Sequence, residues 1–319
     1  MSFKDVTKGV LDFLLATDGL PGWVCVGHSD PQAQLHVFLE TSSGTFDVSR
    51  NHAIVGLKPL TVALSMENSH LPSLQCTHPQ FVIREPDGGV LGRIKLQLSQ
   101  SLPVHSAHLC LFRTLSGHNH CAPALRREGT YLYERWKLSR DKNSDTPHMT
   151  ASDLFNMWIL HDLPRPVHLV SYGGMALGNM FPMDLLGLLA SGTFVVGIHA
   201  NSPAIPLWQS QRQIAVSAVP LRYKPTVYGM GRNHRRLFLD PSALPIPSSP
   251  SETFQIPVPD EALSVRELSI EQSLNLGSHV LFVARTTKTE KRAEEPQMCH
   301  VHRFYQQFLM RHNRPLPLI

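Results

Sequence analysis

The one close cluster of possible metal ligands in this sequence is His118-Asn119-His120-Cys121. A tetrahedral zinc site needs four ligands that converge on the ion. A spacing of i, i+2 places two histidines on one side of a strand and supplies no further ligands. We therefore expect a polar loop here and no metal site. The chain has 18 histidines, and this high count leaves haem binding open as an alternative.

The sequence lacks the motifs of a nucleophile-elbow hydrolase and of a cysteine-based zinc or disulfide site. There is no GxSxG motif, so a hydrolase with a nucleophile elbow is disfavoured. The five cysteines form no CxxC pair and predict reduced thiols, without a zinc or disulfide framework. They are Cys25, Cys76, Cys110, Cys121 and Cys299.

Composition favours a globular protein without a nucleic-acid or membrane partner. Hydrophobic residues make up 42% and charged residues 17% of the chain, and its net charge is +4. The densest basic runs, Arg232–Arg236 and Lys288–Arg292, are too short for a nucleic-acid face. No apolar stretch reaches the roughly 18 residues of a membrane span. The N-terminal 19 residues have an amphipathic rhythm and three acids, which predicts a short helix rather than a signal peptide. The cytoplasm is the expected location.

The elements that must position any site are mostly strands. Short segments rich in branched and aromatic residues alternate with Gly, Pro, Asn or Ser. The clearest hairpin joins Phe81–Arg84 to Val90–Leu98 through a turn that contains Pro86 and two glycines. The other predicted strands are Trp23–Val26, Leu35–Glu40, Ile54–Val55, Leu60–Ser65, Ala107–Phe112, Val167–Ser171, Gly192–His199, Ile214–Val219 and Leu281–Arg285.

A few segments have helical patterns instead. Thr150–His161 begins with a capping residue and an acid in the first turn, and its apolar residues share one side. Helices are also expected at Leu185–Leu189, Asn201–Gln213, Val265–Leu274 and His302–Arg311, whereas Tyr131–Leu138 is ambiguous and the proline-rich stretch Phe238–Pro259 is expected to be irregular. Many short strands with few helices predict a mainly β fold with accessory helices, in which an antiparallel sheet is closed or nearly closed.

Four motifs occur in order between Leu163 and Thr287. The first motif is a strand with the pattern RPVxxVS (Arg165–Ser171) followed by Gly178–Asp184, which contains Asn and Pro. The second and third are the strands Thr193–His199 and Ile214–Ser217, and the fourth, Gly277–Ala284, has the pattern GxHxLF. Together these motifs resemble the flavin reductase-like FMN-binding split-barrel family. The resemblance implies a split β-barrel over this part of the chain.

The resemblance also implies roles for individual residues of the site. In that family the segment after the first strand is a loop that lies along the flavin, here Asn179–Asp184. The phosphate would lie near Asn201-Ser202, and His279 would be the catalytic residue at the flavin or nicotinamide site. The implied cofactor-binding residues are Ser171, Tyr172, Asn179, Met180, Phe181, Pro182, Met183, Asp184, Asn201, Ser202 and His279.

The chemistry that follows from the resemblance is flavin-dependent oxidoreduction. FMN, or FAD as the alternative, would carry hydride to or from NAD(P)H or a small organic substrate. The chain has no GxGxxG after a predicted strand, so any nicotinamide would stack directly on the flavin. The family's phosphate-site Thr in a Lys-Asp-Thr-like setting is not recognisable. The alternative is a non-catalytic or haem- or ligand-binding split barrel.

The first 150 residues match none of these motifs. Segments such as Asp47–Asn51 and Gly56–Thr61 suggest a second, diverged barrel half. We therefore predict two domains, residues 1–150 and 151–319, the second ending in a helix. Two fused halves would make a pseudo-symmetric monomer of an assembly that is elsewhere a homodimer, and a homodimer of this chain is the alternative.

Overall fold

The computed structural model describes residues 20–30, 35–71, 74, 78–105, 107–140 and 149–318. The expected N-terminal helix and Cys76 lie outside these residues. Among the described residues, no helix has the length and apolar character needed to cross a membrane.

The strands, in chain order, are β1 (Trp23–His28), β2 (His36–Thr41), β3 (Gly44–Asp47), β4 (His52–Leu57), β5 (Leu60–Met66), β6 (Gln80–Arg84), β7 (Val90–Val104), β8 (Ala107–Asn119), β9 (Arg165–Pro166), β10 (His168–Gly173), β11 (Gly178–Met183), β12 (Leu186–Leu188), β13 (Thr193–His199), β14 (Gln213–Ala218), β15 (Ser248–Pro250), β16 (Pro257–Pro259), β17 (Ser264–Asn275), β18 (His279–Lys291) and β19 (Gln297–His302). The α-helices are α1 (Ala124–Arg140), α2 (Ala151–Leu160), α3 (Ile205–Gln211), α4 (Lys224–Gly229) and α5 (Arg303–Arg311).

Two seven-stranded antiparallel sheets form most of the molecule, and they have the same topology. The N-terminal sheet has the order β3-β2-β6-β7-β8-β5-β4, and the C-terminal sheet has the order β11-β10-β14-β17-β18-β13-β12. Numbered within each half, both orders read second, first, fifth, sixth, seventh, fourth, third. The fold is thus mainly β with accessory helices, as predicted, and each half is a curled split-barrel sheet.

The two halves meet along β4 and β12. Ala53 and Gly187 lie at this contact, where a Cβ on Gly187 would be 3.0 Å from the Cβ of Ala53. Apolar residues of both halves form a shared core there, including Val55 with Val195 and Leu281. A third sheet pairs β1 with β19 and β19 with β9, so it joins strands from both ends and from the middle of the chain. The proposed division at residue 150 remains a prediction.

Several local predictions are confirmed. β6 and β7 form the predicted hairpin, whose turn needs a glycine because Gly88 has φ +93°. Helix α2 begins where expected, since the Thr150 side chain accepts a hydrogen bond from the Asp153 amide. The C-terminal helix α5 is also present. The ambiguous segment Tyr131–Leu138 lies inside α1.

Three sequence-based predictions are wrong. Val265–Leu274 is not a helix but most of strand β17, because it pairs with β14 on one side and β18 on the other. Leu185–Leu189 contains the short strand β12 instead of a helix. The segment Asn179–Asp184 is not a loop, since Gly178–Met183 forms β11 and pairs with β10 throughout its length.

Candidate functional site

A cavity of about 600 Å³ lies between the two halves. The C-terminal half contributes Arg165–Pro166, His168 and Asp184, together with side chains of β12, β13, β14 and β17. The N-terminal half contributes the segment Ser49–Ile54 apart from Asn51, together with Asp30 and Leu35. Ligand pockets in proteins commonly have volumes of about 300–1,000 Å³. The cavity is therefore large enough for a cofactor of moderate size.

Cationic side chains are concentrated in the cavity wall. Arg50, Arg165 and Arg266 line it, against two carboxylates, Asp30 and Asp184. Arg50 is paired with Asp30 at 3.0 Å, and both side chains are largely exposed. The balance of charge in the wall is positive, which favours an anionic ligand.

Arg266 has no acidic partner among the residues that the structure describes. Its guanidinium carbon lies 6.0 Å from the ring centroid of Phe194, and burial lowers its pKa. Within the described part of the chain, no carboxylate lies within ion-pair distance of it. A partly buried guanidinium without a counter-ion has five N–H donors available for an anion.

Arg165 and Asp184 are held by each other and by a histidine. Arg165 donates a hydrogen bond to the backbone carbonyl of Asp184, whose carboxylate accepts one from Nδ1 of His300 at 3.1 Å. Burial would raise the pKa of Asp184, but the His300 hydrogen bond and the charge of Arg165 hold it below its usual range. Nε of Arg165 is buried and has no hydrogen-bond partner among the described residues. Asp184 thus positions a guanidinium that still has a free donor.

Two histidines complete the polar wall as neutral side chains. Burial and then the neighbouring Arg266 lower the pKa of His168 to about 4, and its Nε2 lies 3.2 Å from the side-chain nitrogen of Gln297. Burial lowers the pKa of His52 to about 4 as well, and its Nδ1 lies 2.8 Å from the backbone carbonyl of Val48. Neutral imidazoles can donate or accept hydrogen bonds at the cavity without adding charge.

The structure separates the residues that the sequence assigned to the site. Asp184 lines the cavity. Met180, Phe181, Ser171 and Tyr172 are buried within the C-terminal half. The ring of Phe181 is stacked parallel to Trp208 at 6.5 Å, and Tyr172 meets Trp208 edge to face. Their aromatic rings fill the interior of the half-barrel.

Asn179 is fully buried, and its side-chain amide is used inside the protein. Its Nδ2 donates to the carbonyl oxygens of Arg236 at 2.7 Å and Asn233 at 3.0 Å. Its Oδ1 accepts from the Met180 amide at 2.7 Å. The side chain thus ties β11 to the segment that follows α4.

Pro182 and Met183 are predicted cofactor-binding residues that do not line the cavity. Pro182 and Met183, at the end of β11, are half-buried and lie opposite Leu169 and His168 in the β10 pairing. They lead directly into Asp184.

Asn201, Ser202 and His279 lie together at a different place, and none of them lines the cavity. The Asn201 amide donates to Nδ1 of His199 at 3.2 Å, and Ser202 Oγ accepts from Ala204. The ring of His279 lies 5.7 Å from that of His199. Burial, reinforced by His199, lowers the pKa of His279 to about 4.

Sequence reasoning missed Arg266, Arg50 and His52 as cavity residues. The sequence pattern places Arg266 on a helix that is in fact strand β17. The alternation of Leu268 and Ile270 with polar Glu267, Ser269 and Glu271 was the signal that could have indicated a strand. Arg165 and His168 belong to the motif that suggested the family, yet they were not singled out. For metals, the described residues contain no group of three His, Cys, Asp or Glu side chains that could hold an ion.

No protein-family model matches this chain, and no curated protein matches it. Among solved structures, the NADH:FAD oxidoreductase of Streptomyces globisporus C-1027 is 13% identical over 47% of this chain and 89% of its own, with a TM-score of 0.42. The flavin reductase component of a bacterial two-component tryptophan halogenase is 15% identical over 47% of this chain and 92% of its own, with a TM-score of 0.41.

An FMN-binding protein from Thermus thermophilus, solved with 1-cyclohex-2-enone, is 22% identical over 40% of this chain and 71% of its own, with a TM-score of 0.36. These solved flavin reductase and FMN-binding structures are each similar to less than half of this chain, at low identity.

Proposed function

We propose that the cavity between the two halves binds a flavin, with FMN as the preferred form, and that the chain is a flavin-dependent oxidoreductase. The observation that carries this proposal is the cavity itself. Its wall contains Arg165, Pro166, His168 and Asp184 of the family-like motifs. It also contains Arg266, which has no acidic partner among the described residues.

The residues present fit a flavin mononucleotide. A phosphate carries nearly two negative charges and is bound well by guanidinium groups, which match its oxygens with paired donors. Arg266 and the free Nε of Arg165 would supply them. Ile54, Leu186 and Phe194 offer apolar surface in the same cavity, which suits the face of an aromatic ring system.

The bound flavin would supply the hydride chemistry. The chain would orient it, with Asp184 fixing Arg165 and the neutral His168 adding a hydrogen-bonding group beside Arg266. NAD(P)H as the electron donor, His279 as a catalytic residue and the cytoplasmic location remain predictions.

Absorption spectroscopy tests the proposal. The purified full-length chain is incubated with excess FMN, desalted, and examined for a retained flavin band in the visible range. NADH or NADPH is then added without oxygen. Retention followed by bleaching supports the oxidoreductase. Retention without bleaching by either nucleotide favours a flavin-binding protein with another reductant. If neither FMN nor FAD is retained or quenched in a fluorescence titration, the proposal is wrong.

A further inference from the structure

The two half-barrels can be aligned residue by residue because they share two bulges. The β7–β8 pairing shifts register between Lys95 and Leu96, and again between Leu98 and Gln100. The β17–β18 pairing shifts between Glu267 and Leu268, and again between Ile270 and Gln272. Bulges are conserved structural features rather than accidents of a strand. Lys95 therefore corresponds to Glu267, and Ile94 to Arg266.

The alignment extends across each sheet. Ile94 lies opposite Gly117 on β8, whereas Arg266 lies opposite Thr289 on β18. Two residues before Ile94 and Arg266, on the same face of each strand, are Gly92 and Ser264. The cavity wall around Arg266 and Ser264 thus has a counterpart on the N-terminal sheet around Ile94 and Gly92.

Helix α2 covers that counterpart. Ile159 lies directly over Gly92 and Gly117, where a Cβ on either glycine would overlap its side chain. The helix is anchored at one end by Ser152, whose Oγ donates to the carbonyl of Leu115 at 2.8 Å. Ile94 and Ile159 are fully buried in one apolar core. In the C-terminal half, Thr289 is exposed and Ser264 faces the cavity.

We infer that the chain is an internal dimer in which one of two equivalent ligand sites is open and the other is sealed by α2. The guanidinium of the open site is replaced by Ile94 in the sealed one, so the sealed site has lost both its space and its charge. The N-terminal half supplies Ala53 and Ile54 to the open cavity and thereby takes the part that a second copy would play. The chain binds one flavin-sized anion and completes that site by itself.

That the ligand is a flavin rests on the proposed function, whereas the sealing of one site does not. The first test therefore uses no flavin. Ser264→Cys and Ile94→Cys are treated with a thiol reagent in the folded protein, and labelling is counted above that of the wild-type chain. We expect the thiol of Ser264→Cys to react at least about tenfold faster than that of Ile94→Cys, because exposure of position 94 requires local unfolding.

A third variant tests the role of α2. Ile159→Ala, combined with Ile94→Cys, should speed labelling at position 94 while circular dichroism shows the fold retained. Equal labelling rates of Ser264→Cys and Ile94→Cys in the folded chain would overturn the inference.

The second test counts FMN bound per chain by equilibrium dialysis or native mass spectrometry. One FMN on a monomeric chain is expected. Two per chain, or one per two chains, would contradict the inference while leaving the proposed function standing. Absence of FMN binding would contradict the proposed function, and the labelling rates would still decide whether one site is sealed.

Discussion

Gly197 on β13 lies directly against the backbone of Val55 on β4, so close that a Cβ on Gly197 would overlap the carbonyl oxygen of Val55. The overlapping atom belongs to the backbone and cannot rotate away. The two halves therefore approach each other through main chain at this point, and only glycine is compatible with that distance.

Gly197→Ala should lower the free energy of unfolding by about 1–3 kcal/mol, because overpacking forces the backbone of β4 to move. Urea denaturation measures the change. Gly174→Ala is the matched control, since nothing lies within 4 Å of a Cβ at that position. If both variants were equally stable, the two halves would not pack as closely in solution as they do here.

Arg266→Gln should weaken FMN binding by about 10- to 100-fold, because a hydrogen bond to a charged group contributes about 1.5–3 kcal/mol. Arg266→Lys keeps the charge but loses the paired donors, so an intermediate loss is expected. Flavin fluorescence quenching measures the dissociation constant.

Arg113→Gln is the control for Arg266→Gln, since it removes an exposed arginine from strand β8 and should leave affinity unchanged. An Arg266→Gln protein that binds FMN as tightly as the Arg113→Gln protein would show that the phosphate lies elsewhere.

The sequence was most informative where one local pattern decides the structure. The β6–β7 hairpin has turn residues at the positions where positive φ is needed, and the Thr150 cap marks the start of α2. These features need no knowledge of distant residues. The motif at Arg165–Ser171 also contributes to the cavity wall, because Arg165, Pro166 and His168 line it.

The remainder depends on pairing between distant segments. Val265–Leu274 contains good helix formers, including Glu267 and Gln272, yet it lies between β14 and β18 and is extended, since tertiary pairing overrides weak propensity. Arg266 and Arg50 come from different halves of the chain. Only the contact between the halves brings them to one cavity, so their shared role could not be predicted from spacing.

The stability of the chain should fall as pH is lowered from about 6.5 to 4. Burial lowers the pKa of His161 to about 3 and that of His279 to about 4, and Arg165 and His199 respectively act in the same direction. Asp184 opposes both shifts. In the unfolded chain these histidines take up protons near pH 6.5, so the unfolded state binds more protons across this window.

Each such histidine contributes a slope of up to about 1.4 kcal/mol per pH unit. Urea denaturation at about pH 7.5, 6.5, 5.5, 4.5 and 3.5 measures the sum, because these values bracket the window given by the linkage relation. His279→Gln should flatten the slope, whereas His36→Gln, at an exposed position of β2, should not. A slope that His279→Gln leaves unchanged would show that this ring is protonated in the folded protein.

The carboxylate of Glu267, on the strand that carries Arg266, holds the segment 251–254 in place. It accepts hydrogen bonds from Ser251 Oγ at 2.6 Å and from the Thr253 and Phe254 amides at 3.0 and 2.6 Å. Burial alone would raise the pKa of Glu267, but these donors together outweigh burial, so the pKa is lowered. The charged form is therefore the stabilising one. That stabilisation is present above pH of about 4.3 and is lost as pH falls through the lower pKa of the folded state.

Glu267→Gln should therefore cost about 1–3 kcal/mol, because an amide nitrogen would then face backbone donors in a buried place. Faster hydrogen exchange at the Thr253 and Phe254 amides, with urea denaturation, measures the effect. Glu252→Gln is the neighbouring control, since the Glu252 side chain forms an exposed ion pair with Lys288 at 2.9 Å, and such pairs contribute about 0–1 kcal/mol. Equal exchange rates in the two variants would contradict this prediction. They would mean that contacts other than the Glu267 carboxylate hold the segment 251–254 against β17.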